Sequence, residues 1–127
     1  MANILVIDDM MGVRRAVGSV LKKAGHVVTE TDNGASGLQL ASEQAFDLII
    51  TDIVMPGVDG TEVIKTLSAK LGGPPIIAMS GGGAHLTSDE ALTQAKQTAD
   101  SALSKPFSGQ ELLAAVDGLL AKVAQPA

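Results

Sequence analysis

Short runs of aliphatic, often β-branched residues alternate with helix-periodic segments along the chain, and this alternation leaves few folds open. Ile4-Leu5-Val6-Ile7 is the first run and stops at Asp8-Asp9; its length and branching favour a strand over a buried helix. Behind it, Val13, Val17, Val20-Leu21 and Ala24 recur at helical spacing, and Gly25 closes the pattern. His26 to Thr31 reads as a weaker second strand, and Asp32-Asn33-Gly34 turns into a helix carrying Leu38, Ala41 and Ala45. The segment from Phe46 to Thr51 is the third strand and again meets an acid, Asp52. The turn formers between Met55 and Gly60 lead to a helix through Val63-Ile64, Leu67 and Leu71, closed by Gly72-Gly73-Pro74-Pro75.

Ile76 to Ser80 is the fourth strand and runs into Gly81-Gly82-Gly83. Thr87-Ser88-Asp89-Glu90 offers a capping box for a helix through Leu92 and Ala95, with Leu86 as staple. Ser101-Ala102-Leu103 has poor strand propensity but stands where the alternation requires a fifth strand. At Phe107-Ser108-Gly109-Gln110-Glu111-Leu112 the last helix starts, with Ser108 as cap, Glu111 reciprocating and Phe107 placed to pack on Leu112. That helix continues through Val116, Leu119-Leu120 and Val123.

Buried strands separated by amphipathic helices call for a parallel sheet covered on both faces. Right-handed crossovers then give an α/β, flavodoxin-like, doubly wound (βα)5 fold with strand order 2-1-3-4-5. At 127 residues the chain suits one domain, with a core over about 3–123 and a short tail at 124–127. With 2% aromatic residues, the core is built from Ala, Val, Leu, Ile and Met. The absence of Cys excludes disulfides, thiol catalysis and Cys-type metal sites, and two His are too few for a zinc site with several imidazoles. A net charge of −5 works against nonspecific binding to nucleic acid. The paired cations Arg14-Arg15 and Lys22-Lys23 are expected to face solvent. No run reaches the roughly 20 apolar residues of a membrane span, and only Met1-Ala2-Asn3 precede the first strand, so a cytoplasmic location is expected.

Sites in open α/β sheets form beyond the carboxyl ends of the strands, at the switch point between strands one and three. Those ends carry Asp8, Asp9, Asp52 and Ser80, and Lys105-Pro106 follows strand five. Converging carboxylates repel one another unless a cation joins them, and a hard dication such as Mg²⁺ takes carboxylate, carbonyl and water oxygens. A carboxylate beside such a cation can accept a phosphoryl group as an acyl phosphate, with Lys105 as a second positive group. Asp59 reads as a helix cap. Met10, Met11 and Met55 read as packing and loop residues, and His26 and His85 as ordinary surface or partly buried side chains.

These residues, in this order, resemble the receiver domain of two-component response regulators from Asn3 to about Val123. The resemblance implies Mg²⁺ (or Mn²⁺) held by Asp9, by Asp8 mainly through water, by Asp52 and by the carbonyl of Val54. It implies phosphorylation on Asp52, a switch hydroxyl at Ser80 and a phosphoryl-pairing Lys105 within Lys105-Pro106-Phe107. A sensor histidine kinase or histidine phosphotransfer domain is the implied donor, and the face of the fourth helix, fifth strand and fifth helix the implied output. The chain departs from the family at Ala102, where an aromatic switch residue is usual. With no effector segment after the last helix, a stand-alone signalling protein is expected, acting in motility, in a phosphorelay or as a phosphate sink, as a monomer or weak homodimer. The alternatives are a phosphatase with an aspartate nucleophile, against which Val54 stands where a general acid is wanted, and a degenerate receiver acting as a docking module. A flavin site lacks the aromatics to stack on the ring.

Overall fold

The computed structural model describes residues 2–53, 63, 65–66, 74–80, 100–104 and 107–124, with backbone alone at 80, 104 and 122–124. Its strands are β1 (Asn3–Ile7), β2 (Val27–Thr31), β3 (Leu48–Asp52), β4 (Ile76–Ser80) and β5 (Ser101–Ser104). The fully described helices are α1 (Met11–Lys23), α2 (Gly34–Glu43) and α3 (Gly109–Ala124). All strand pairs are parallel, in the order β2-β1-β3-β4-β5 expected from the alternation.

The two-residue period of a strand sorts the core into two layers. Ile4, Val6, Leu48, Ile50, Ile77 and Met79 face α1 and α3, where Val17, Leu21, Leu112, Val116 and Leu119 complete a buried cluster. Leu5, Ile7, Ile49, Ile76 and Ala78 face the other way, with Ile53, Val63 and the partly buried Leu38 and Ala41. β3 is buried along its whole length, whereas β2, at the sheet edge, is only partly covered. Gly37 lets α2 sit close on the sheet, because a Cβ there would come within 2.9 Å of Ile7 Cγ1.

Helix ends follow their local chemistry. Gly25 has φ 95°, its N–H donates to Lys22 O and the His26 N–H donates to Leu21 O, the two bonds of a Schellman close. Asn33 caps α2 by accepting from Ser36 N at 2.8 Å. At α3, Glu111 N donates to Ser108 Oγ at 3.0 Å while Ser108 N donates to Glu111 Oε1 at 3.3 Å, the reciprocal pair expected from the sequence. Ser108→Ala is expected to cost about 1 kcal/mol, read by chemical denaturation. Glu111→Gln keeps the acceptor and should cost much less.

Two boundaries and one burial differ from what the sequence suggests. α2 ends at Glu43, so Ala45 is outside it, and β3 begins at Leu48 instead of Phe46. The cause is Asp47, whose N–H donates to Asn3 O at 2.7 Å while its Oδ2 accepts from Asn3 N at 2.8 Å. That pair clamps the entrance of β3 to the start of β1, so the chain from Gln44 must already be extended. Asp100 repeats the device before β5: its N–H donates to Ile76 O and its carboxylate accepts from Ile76 N at 2.8 Å. This anchorage accounts for β5 forming from Ser101-Ala102-Leu103-Ser104 despite weak propensity. Third, Met10 and Met11 are not packing residues, being 58% and 54% exposed at the start of α1. The capping box at Thr87–Glu90, its helix, Met55 and His85 lie outside the described residues, as does most of the helix read through Val63 and Leu71.

Candidate metal and phosphoacceptor site

Parallel strands place their carboxyl ends on one edge, and β1 and β3 are neighbours there. Asp8 follows Ile7, whose register partner Thr51 immediately precedes Asp52. One carboxylate oxygen from each of Asp8, Asp9 and Asp52 lies within 4.8 Å of the others. Asp8 is fully buried and Asp52 is 5% exposed, whereas Asp9 reaches solvent. Repulsion between two buried carboxylates at such a distance is on the order of a few kcal/mol, so the cluster favours a positive occupant.

The turn that presents the acids is held at several atoms. Asp8 N donates to Thr31 O at 3.1 Å, tying the end of β1 to β2. Asp8 Oδ1 accepts from Met10 N at 2.8 Å, and Asp8 O accepts from Arg14 Nη1 at 2.9 Å. On β3, Thr51 is fully buried and donates its hydroxyl to Asp52 O at 3.0 Å. Ile53 N donates to Met79 O at 3.0 Å, carrying the β3–β4 pairing past Asp52. Three carboxylates of this spacing, with room for solvent on the Asp9 side, suit a hard oxygen-loving dication such as Mg²⁺.

Ser80 is the last residue of β4, one step beyond Met79, the register partner of Asp52. Its own partner is Ser104, the last residue of β5. Val54, Lys105, Pro106 and Asp59 lie outside the described residues. Ala102 is exposed on β5. His26 is half-buried and accepts from Ala2 N through Nδ1 at 3.2 Å, a structural role away from the acids. Among the described residues, no helix is long and apolar enough to cross a membrane.

The model of the response regulator receiver domain matches residues 4–117. The chain belongs to that family. Receiver domains serve two-component systems, and this one is similar over 117 residues, at 35% identity, to the probable transcriptional regulatory protein SilR of Salmonella typhimurium. That match covers 92% of this chain and 50% of SilR, and the chain spans about half or less of the other regulators first found, such as ResD of Bacillus subtilis at 49%. The protein PilH of Pseudomonas aeruginosa is matched nearly end to end: 31% identity, 95% of this chain and 99% of PilH. Among solved structures, the Vibrio cholerae chemotaxis protein CheY4 superposes with a TM-score of 0.80 at 30% identity, covering 94% of this chain and 98% of that one. This receiver therefore carries its acid cluster where β1 and β3 end together.

One contributor escaped the sequence reading. Arg14, expected to face solvent with Arg15, has a side chain only 16% exposed and reaches the Asp8 carbonyl as well as Glu30. A glycine at position 18, inside a helix where it lowers propensity, was the available signal that something on β2 approaches α1 closely.

Proposed function

We propose that this chain is a phosphoacceptor: Asp52 takes a phosphoryl group from a phosphohistidine of a sensor histidine kinase or a histidine phosphotransfer domain. The observation that carries this reading is the three-carboxylate cluster with Asp52, nearly buried, at the end of the central strand β3. A carboxylate oxygen of Asp52 attacks phosphorus in line, the P–N bond to the donor imidazole breaks, and its electrons stay with the imidazole. Asp8, Asp9, Asp52 and the carbonyl of Val54 are the residues to hold Mg²⁺ (or Mn²⁺). Bound there, the ion supplies positive charge against the phosphoryl oxygens. Lys105 pairs with the same oxygens and the Ser80 hydroxyl donates to one of them.

The chain acts as one receiver unit with its core over about 3–123. The signal leaves as an altered protein-binding surface. Ala102 lacks a ring to rotate, so the hydroxyl–aromatic coupling usual in the family does not operate here. A net charge of −5 favours a protein target over nucleic acid, and the cytoplasm is the proposed location, with a monomer or weak homodimer as the working state.

The test is intact-protein mass after incubation with acetyl phosphate, in which the P–O bond to acetate breaks as the bond to Asp52 forms. One phosphoryl adduct is expected with Mg²⁺, falling to background when the cation is chelated. An unlabelled chain, under conditions that label a control receiver, counts against phosphoacceptance.

A further inference from the structure

A charged chain runs from the sheet edge to the acid turn. Glu30 on β2 forms ion pairs with Arg14, Nε standing 3.5 Å from its Oε1, and with Lys22, Nζ standing 3.8 Å from its Oε2. Arg14, Gly18 and Lys22 stand four residues apart and share one face of α1. A Cβ at Gly18 would lie 2.8 Å from Glu30 Oε2, so the glycine leaves the space that the carboxylate fills between the two cations. The exposure of the partners is uneven: the Arg14 and Glu30 side chains are 16% and 25% exposed, and that of Lys22 is 60%. Arg14 and Glu30 form the more sheltered pair.

Arg14 is two-headed. Nε faces Glu30, and Nη1 donates to the Asp8 carbonyl at 2.9 Å. A planar guanidinium can hold both at fixed angles, which a lysine ammonium cannot. The Asp8 peptide is therefore tied to β2 by two routes, its N–H directly to Thr31 O and its C=O through Arg14 to Glu30. Asp9 is the next residue and reaches solvent. Its carboxylate is on the solvent side of the cluster, so the peptide leading into it helps to decide where it stands.

We infer that Arg14, held by the Glu30 carboxylate seated against Gly18, is a positioning residue for the Asp8–Asp9 turn and raises its affinity for a divalent cation. The inference rests on the reading of Asp8, Asp9 and Asp52 as cation ligands. Charge alone predicts the opposite sign, because a cation beside the turn repels Mg²⁺ and its removal would tighten binding. Geometry and electrostatics therefore separate cleanly at this residue.

The experiment is calorimetric titration of the full chain with Mg²⁺, for the native sequence, Arg14→Lys, Arg14→Met, Gly18→Ala and Asp9→Asn. Alanine at 18 favours the helix and displaces only the end of the Glu30 side chain, so this variant loosens the clamp without threatening the fold. Arg14→Lys, Arg14→Met and Gly18→Ala are each expected to weaken Mg²⁺ binding about tenfold, the size typical when partners behind metal ligands are lost. In chelator, hydrogen exchange at Met10 N–H, which is bonded to Asp8 Oδ1 at 2.8 Å, should quicken in the same variants. Unchanged Mg²⁺ affinity in Arg14→Lys, with tighter binding in Arg14→Met, would overturn the inference in favour of simple repulsion. Lower thermal stability with Mg²⁺ affinity and Met10 exchange intact would reduce the pair to a structural role. A native chain that binds Mg²⁺ no better than Asp9→Asn defeats the cation reading itself, and Met10 exchange then still reports whether Arg14 holds the turn.

Discussion

Asp52→Asn is expected to lose the phosphoryl adduct entirely while the domain stays folded. Asparagine matches the shape of aspartate, so the packing of a residue only 5% exposed is kept. What changes is the oxygen: a neutral amide is a very poor nucleophile toward phosphorus, and no acyl phosphate forms. The exchange also takes one of three clustered carboxylates away, which lowers both the mutual repulsion and the pull on a dication. Incorporation from acetyl phosphate should therefore drop to background by intact mass, and the rise in melting temperature expected from Mg²⁺ on the native chain should shrink in the variant. Asp8 and Asp9 are the internal controls, because both retain their charge in this variant. A full adduct persisting on either of them would show that the acceptor had been assigned to the wrong strand end.

Ile50→Ala should give the largest loss of stability among single truncations considered for this chain. Ile50 is fully buried at the middle of β3, between Val6 of β1 and Ile77 of β4 in the ladder. Its face of the sheet is packed by α1 and α3 through Leu21, Leu112 and Val116, all nearly inaccessible. Strands on both sides and two helices above leave little freedom to collapse into the space. The expected cost is about 3–5 kcal/mol, a fall in melting temperature of roughly 11–19 °C for a domain of this size. Thermal melting followed by far-ultraviolet circular dichroism is the suitable readout, since the sequence has no Trp or Tyr. Val27→Ala, at an edge-strand residue 50% exposed, should cost well under 1 kcal/mol by the same measurement. Equal losses at the two sites would contradict the layered core.

Features that depend on neighbours along the chain are legible in the amino-acid order alone. Strand and helix order follow from short, β-branched aliphatic runs alternating with helix-periodic segments, and the capping pair Ser108–Glu111 and the closing Gly25 are contained within a few residues. The parallel order of β–α units then leaves one edge for the carboxyl ends, which is why Asp8, Asp9 and Asp52 could be grouped before any coordinate was known. Contacts whose partners are remote in sequence emerge with the folded chain. Asp47 fixes the entrance of β3 through Asn3, and Asp100 that of β5 through Ile76, so strand boundaries there answer to another strand and not to propensity. Arg14 turned from solvent to the Asp8 carbonyl because Glu30, on the adjoining strand, sits in the space left by Gly18. Local pattern encodes which face a residue occupies; the partner it finds on that face depends on how strands and helices are brought together, and only the folded chain brings Glu30 to Arg14.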